Sequence, residues 1–184
     1  MRPVFLKGEN IMLSPLSAKH DLTDYASWLN DQETVLFIAG GKFPSTKEAL
    51  AEYIDSCKHS NEGMLLGIFL NKSYKHIGNI ALNHIMWKDR YADIGVLIGD
   101  KKSRGKGYAI EAVKLLTEHA FYKLNLHKIY AGMVKENKAS INAFNRLGFK
   151  IEARFRKHCF VNNRYLDCYK MGLLKEEYKG IVTR

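Results

Sequence analysis

Proline, cysteine and acidic side chains are all scarce in this sequence, and each scarcity closes off a class of protein. Three prolines in 184 residues, with no repeat, low-complexity tract or Pro/Ser-rich stretch, leave no linker, so one continuous domain over residues 1–184 is expected. The three cysteines, Cys57, Cys159 and Cys168, are odd in number and widely spaced. They supply neither a disulfide framework nor a metal-ligand pattern, and read as half-buried packing thiols in a reducing compartment. No stretch approaches the ~20 apolar residues of a membrane-spanning helix, and nothing after Met1 reads as a secretory leader. A cytoplasmic protein without a membrane partner is expected. The acid deficit, 19 Asp and Glu against 29 Lys and Arg for a formal charge of +10, favours anionic partners. That charge is scattered along the chain rather than gathered with aromatics on one helix, which argues against nucleic acid.

An apolar content of 46% is enough for a substantial core, and its periodicity changes along the chain. "NIMLSPL" alternates as a first strand, and "DLTDYASWLN" places Leu22, Tyr25, Trp28 and Leu29 on one helical stripe. "STKEALAEYIDSC" opens with Ser45 three residues before Glu48, a capping-box spacing, and carries Ala49, Leu50, Tyr53, Ile54 and Cys57 at helical intervals. "MLLGIFL", "HIGNIALNHI" and "YADIGVLIG" then read as an antiparallel meander. "GYAIEAVKLLTEHAFYKL" returns to helix, with Ala109, Ala112, Val113, Leu116, Ala120 and Phe121 along one face. "HKIYAGMV" is a strand, and "KASINAFNRLGF" is a helix ending at Gly148 in a left-handed position. "RFRKHCFV" and "RYLDCYKMGLL" flank an Asn-Asn turn as a closing hairpin. The predicted order is β α α β β β α β α β β.

"SRGKGYAIEA" sits between a strand and a long helix, where unpaired backbone N–H groups and the helix dipole favour an anion. Gly105 and Gly107 permit close backbone approach, while Lys101, Lys102, Arg104 and Lys106 add positive charge. The segment lacks the GK[ST] ending of a P-loop and is not a G-x-G-x-x-G after a first strand. It does contain Arg104-x-x-Gly107-x-Ala109.

That pattern resembles the R/Q-x-x-G-x-G/A signature with which the GNAT superfamily of acetyl-CoA-dependent N-acetyltransferases holds the CoA pyrophosphate. "ADIGVLIGDKKSRGKGYAIEAV" and "LNLHKIYAGMVKENKASINAFNRLGF" resemble the family's strand–loop–helix and following strand–helix segments. "WLNDQE" and the closing hairpin are similar to the branch containing ribosomal-protein N-terminal, spermidine and amino-sugar acetyltransferases. The resemblance implies an α+β fold: a mixed, mostly antiparallel sheet of about seven strands with flanking helices. It implies acetyl-CoA as acetyl donor and no metal. Backbone groups of Val96, Leu97 and Ile98 would pair with the pantetheine arm and face the developing oxyanion. Arg104, Gly105, Lys106, Gly107, Tyr108 and Ala109 would cradle the pyrophosphate. Asn137 and Ser140 would contact the cofactor, though turn and capping roles are equally ordinary for those residue types.

Phe144 stands where many relatives carry a tyrosine that protonates the departing thiolate. A thiol of pKa about 8.5 leaves tolerably as thiolate, and Ser140 or water is the alternative donor. Asp93 is the base candidate for the amine, through a bridging water; its competing reading is a surface carboxylate paired with a basic neighbour. His76, His84 and His158 are candidates for relay, or structural. Expected acceptors are a nucleotide-linked amino sugar, met by Trp87, Arg90 or Tyr91, then a protein N-terminus, then spermidine, whose polycation the +10 balance disfavours. A homodimer is the assembly to look for, and a CoA-binding module without chemistry is the non-enzymatic alternative.

Overall fold

The computed structural model describes residues 3–38, 41–58 and 60–179. One mixed sheet of eight strands runs β1 (Leu6–Lys7), β2 (Ile11–Pro15), β3 (Met64–Leu70), β4 (His76–Met86), β5 (Tyr91–Ile98), β6 (Lys128–Val134), β8 (Arg164–Leu174) and β7 (Lys150–Val161) in spatial order. Every pairing is antiparallel except β5 with β6. Two strands that run the same way need a long crossover, and α4 (Tyr108–Tyr122) supplies it. The other helices are α1 (Thr23–Asn30), α2 (Gln32–Val35), α3 (Lys47–Lys58) and α5 (Lys138–Arg146).

Apolar side chains cover both faces of the sheet. On one, Ala112, Val113, Leu116, Ala120 and Phe121 of α4 are at most 1% exposed and meet Ile11, Ile80, Leu82, Ile94 and Ile129. The 3.6-residue stripe read from the sequence is therefore the stripe that packs. On the other, Leu22, Tyr25 and Trp28 of the α1 region and Leu50 and Ile54 of α3 close over Met12 and Phe69. The bond from the Phe149 N–H to the Phe144 carbonyl ends α5 around Gly148 at φ 92°, the left-handed stop expected there. Asn162 and Asn163, at φ 47° and 58°, make the β7–β8 turn.

Four expectations change. The two-residue β1 and four-residue α2 are too short for a periodic signal, and β1 raises the strand count from about seven to eight. Thr46, not Ser45, caps α3: its Oγ1 accepts from the Ala49 N–H at 3.2 Å, and Glu48 falls one place early for a capping box. The wide α3 stripe divides, with Leu50 and Ile54 buried while Ala49 is exposed and Tyr53 is 45% exposed. Cys159 and Cys168 are not separate thiols but a disulfide joining β7 to β8, Cα atoms 6.3 Å apart, with Cys57 the free cysteine. A register shift between Phe155 and Cys159 brings them together, and sequence spacing does not reveal a bulge.

Candidate active site

The site is built where the sheet splits. β5 and β6 pair only from Tyr91–Lys128 to Asp93–Tyr130, then diverge. The Gly99 N–H donates to the Ile77 carbonyl at 3.0 Å, which sets the alternation of the antiparallel β4–β5 ladder. Leu97, two residues back, turns its backbone toward β4, while Val96 and Ile98 turn theirs toward the gap. Of the three backbones expected to meet a pantetheine arm, Leu97 is thus committed to the ladder. The Ile98 carbonyl accepts from Arg104 Nε at 3.1 Å, leaving Val96 and the Ile98 N–H facing the opening.

Beyond β5 the chain makes a short 3-10 turn and reaches α4 through Arg104–Gly107. Gly105 and Gly107 have φ of 73° and 84°, a conformation that disfavours any side chain. A Cβ at either would meet nothing within 4 Å, so the protein interior does not demand glycine and the space in front of the loop is open. The first amide of α4 to find a helical carbonyl is that of Glu111, on Gly107. Among the described residues, the amides from Gly105 to Ile110 have no acceptor. Six consecutive donors without acceptors at the positive end of a 15-residue helix are a geometry that suits an anion. Lys106, Tyr108 and Ala109 belong to it through their backbones.

The Arg104 side chain is held within the protein. Besides Ile98, its guanidinium donates to Thr34 Oγ1 at 2.7 Å and lies 3.5 Å from Glu33. It ties the loop to α2, a connection invisible in a sequence that gives no signal for α2. Asn137 Oδ1 accepts from the Ser140 N–H at 3.2 Å and caps α5, so its carbonyl serves the helix. The Ser140 side chain is partly exposed in that first turn. Because β5 and β6 are parallel, the N-termini of α4 and α5 lie at the same end of the sheet. Phe144 is 2% exposed and packs edge-on to Phe149 with centroids 4.8 Å apart.

Asp93 marks the last β5–β6 pair and lies opposite Asn83. Burial raises its carboxyl above the ordinary aspartate range, with Lys170 and His84 pulling the other way. The Lys170 ammonium rests over the Tyr130 ring, 3.4 Å from its centroid. His84 is exposed at a kink in β4 at φ 50°. His76 instead stacks on Phe69, and its Nε2 lies 2.9 Å from both the Gly78 carbonyl and Asn79 Oδ1; its role is packing. His158 lies on β7 beside Phe155.

On the face of β4 and β5 that carries Asn79, Ala81, Asn83, Gly95 and Leu97, a cavity of about 600 Å³ opens beneath α1 and α3. Phe43 and Tyr53 stand in its wall, 83% and 45% exposed. Tyr53 had looked like a core position; the excess width of the α3 stripe was its only trace. Trp87 and Arg90 lie in the β4–β5 turn outside this cavity, and the Trp87 indole donates to the Asn61 carbonyl at 2.8 Å. No cluster of three or more His, Cys, Asp or Glu positioned for a metal occurs among the described residues. Among them no helix is long and apolar enough to cross a membrane.

A split mixed sheet, a left-handed glycine loop leading into a helix and a cavity beside them are the arrangement of an acyl-CoA-dependent transferase. Residues 10–150 match the family model described as an acetyltransferase (GNAT) domain. The chain belongs to that family and is an N-acetyltransferase using acetyl-CoA. It is 30% identical to an uncharacterised N-acetyltransferase, p20, of Bacillus licheniformis over 153 residues, covering 82% of this chain and 85% of that one. The spermidine N(1)-acetyltransferase of Escherichia coli K12 is 31% identical over 99 residues, 54% of this chain and 51% of the relative. The fold is shared with a crystal structure of the Vibrio cholerae spermidine N-acetyltransferase in complex with CoA and spermine, at a TM-score of 0.85, 24% identity and coverage of 93% and 99%.

Proposed function

We propose that this protein acetylates the primary amine of a small molecule by direct attack on bound acetyl-CoA, with Asp93 as base, acting through water. The observation that carries this reading is the succession of three features along β5 and just beyond it: the half-buried carboxylate at the split, the backbone of Val96 and the N–H of Ile98 facing the gap, and the open glycine loop. Acetyl-CoA supplies a thioester whose carbonyl carbon bonds to the amine nitrogen as its C–S bond breaks. The amides of Gly105 to Ile110 hold the pyrophosphate, with Arg104 fixing the loop to α2 and Lys106 adding charge. Val96 and Ile98 orient the pantetheine arm, and a gap-facing N–H steadies negative charge on the carbonyl oxygen. Asp93 takes the ammonium proton, raising the neutral fraction of an amine that is otherwise charged near pH 7. Ser140 or water returns a proton to sulfur.

A nucleotide-linked amino sugar loses its expected support from Trp87, Arg90 and Tyr91, none of which lines the cavity. A protein N-terminus and spermidine are the other acceptor classes. A single-domain cytoplasmic enzyme, as monomer or homodimer, fits the same reading. The test is thiol release from acetyl-CoA over a panel of amines, alongside acetyl-CoA binding by calorimetry. Amine-dependent release supports transfer. Tight acetyl-CoA binding with silence across the panel would favour a CoA-binding module without chemistry.

A further inference from the structure

The acceptor cavity has a chemistry of its own. Its described lining contains no carboxylate, and its one charged residue is a cation, Lys42. Asp93 lies two residues before Gly95 on the same strand face, and Lys170 is the charge beside it. The Tyr53 hydroxyl is neutral, burial having pushed its pKa up to about 12. Two aromatic side chains, Phe43 and Tyr53, stay markedly exposed in the wall, where an apolar guest would cover them.

Asn79 adds an independent mark of a ligand. Only 5% exposed, it lines the cavity with its Nδ2 unpartnered. The orientation of that amide is fixed: His76 Nε2 faces the Gly78 carbonyl, so it carries the proton, and the Asn79 atom 2.9 Å from it must be the oxygen. A buried donor without an acceptor is costly, and a neutral acceptor atom on a guest would relieve it.

On the acetyl-transfer reading above, we infer that the acceptor is a primary amine on an otherwise uncharged, apolar or aromatic body bearing a neutral acceptor atom such as a hydroxyl oxygen, rather than a polyamine or a nucleotide sugar. The reacting nitrogen reaches Asp93, and the remainder lies against Phe43 and Tyr53. A second ammonium would shed water in this cavity without gaining a carboxylate. A diphosphate would find Lys42 alone.

The experiment compares phenethylamine, tyramine, spermidine and a uridine-diphosphate amino sugar in two readouts: kcat/KM with acetyl-CoA, and calorimetric binding to the CoA complex. Expected is a preference of about 10-fold or more, equivalent to about 1.4 kcal/mol, for an arylalkylamine in rate and in binding. Phe43→Asp, at a residue too exposed to govern folding, should narrow or reverse that preference with acetyl-CoA affinity unchanged. Equal or better use of spermidine or the sugar nucleotide overturns the inference and leaves acetyl transfer standing. Binding of none of the amines to the CoA complex also overturns the inference. Selective arylalkylamine binding without thiol release supports the cavity assignment and refutes the transfer reading.

Discussion

Gly107→Asn separates the two reasons a glycine can sit at a left-handed position. Asparagine tolerates positive φ better than other side chains, and the new Cβ meets nothing within 4 Å of protein. The folded state should therefore lose no more than about 1 kcal/mol, a fall of about 2–4 °C in Tm for a chain of this size. The side chain does enter the space before the amides of Gly105 to Ile110. Displacing one charge-assisted hydrogen bond to a phosphate oxygen costs about 1.5–3 kcal/mol, a rise of roughly 10- to 150-fold in the Kd of acetyl-CoA. Gly148→Asn is the control: φ is 92° and its Cβ would sit an ordinary 3.6 Å from Leu173, but it lies at the far end of α5. It should reproduce the Tm change without the affinity change. Calorimetric titration beside a thermal melt reads both quantities. Unchanged acetyl-CoA affinity in Gly107→Asn, with a normal melt, would refute the pyrophosphate assignment, and the bulkier anionic Gly107→Glu should abolish binding outright.

Asp93→Asn should lower kcat by about 10²- to 10⁴-fold and remove the acid limb of the kcat/KM profile, which in the parent lies above the 3.8 of a free aspartate. Since the folded pKa is raised, the stability tied to this proton is fullest below the unfolded pKa and is lost as pH rises through the folded one. The variant should then melt slightly higher at neutral pH, and a lower Tm with an unchanged pH profile would count against the base assignment. The Cys159–Cys168 bridge spans nine positions, for which chain-entropy reasoning gives about 2–3 kcal/mol. Dithiothreitol should lower Tm by about 4–10 °C in the parent and leave Cys159→Ser unmoved; a parent melt indifferent to reductant refutes the contribution.

Long elements were legible where burial leaves a pattern: the stripe of α4 reappears as a packed surface, and the apolar runs of β3 and β4 reappear as strands with four consecutive buried residues, covered on both faces of the sheet. What escaped was set by partners distant in sequence. The Arg104 tether joins residues 70 positions apart, and the cavity takes walls from α1, α3, β4 and β5. The glycine loop was readable because positive φ restricts residue type locally. The commitment of Leu97 to β4 was not, since it depends on which strand edge faces the gap. Cys159 and Cys168 show the same limit: the pairing follows from a shift in register, and an odd cysteine count misdirects when one thiol stays free.

Phe144 then acquires a physical meaning. Its ring, fixed against Phe149 in the main core, carries no hydroxyl to protonate sulfur, and on the proposed mechanism the positive ends of α4 and α5 lie at the end of the sheet from which the thiolate would depart. A thiolate of ordinary pKa about 8.5 beside two helix N-termini needs little acid assistance. Removal of the proton from nitrogen is the harder requirement, because an alkylammonium of pKa about 10.4 is almost wholly charged at neutral pH. The cavity serves that requirement in two ways. A largely apolar lining without carboxylates would penalise the ammonium form of the guest, and on the proposed mechanism the carboxylate at the sheet split takes the proton released. On that mechanism the same absence of wall carboxylates that disfavours a polycation would promote attack by a singly basic amine, placing acceptor choice and rate under one set of residues.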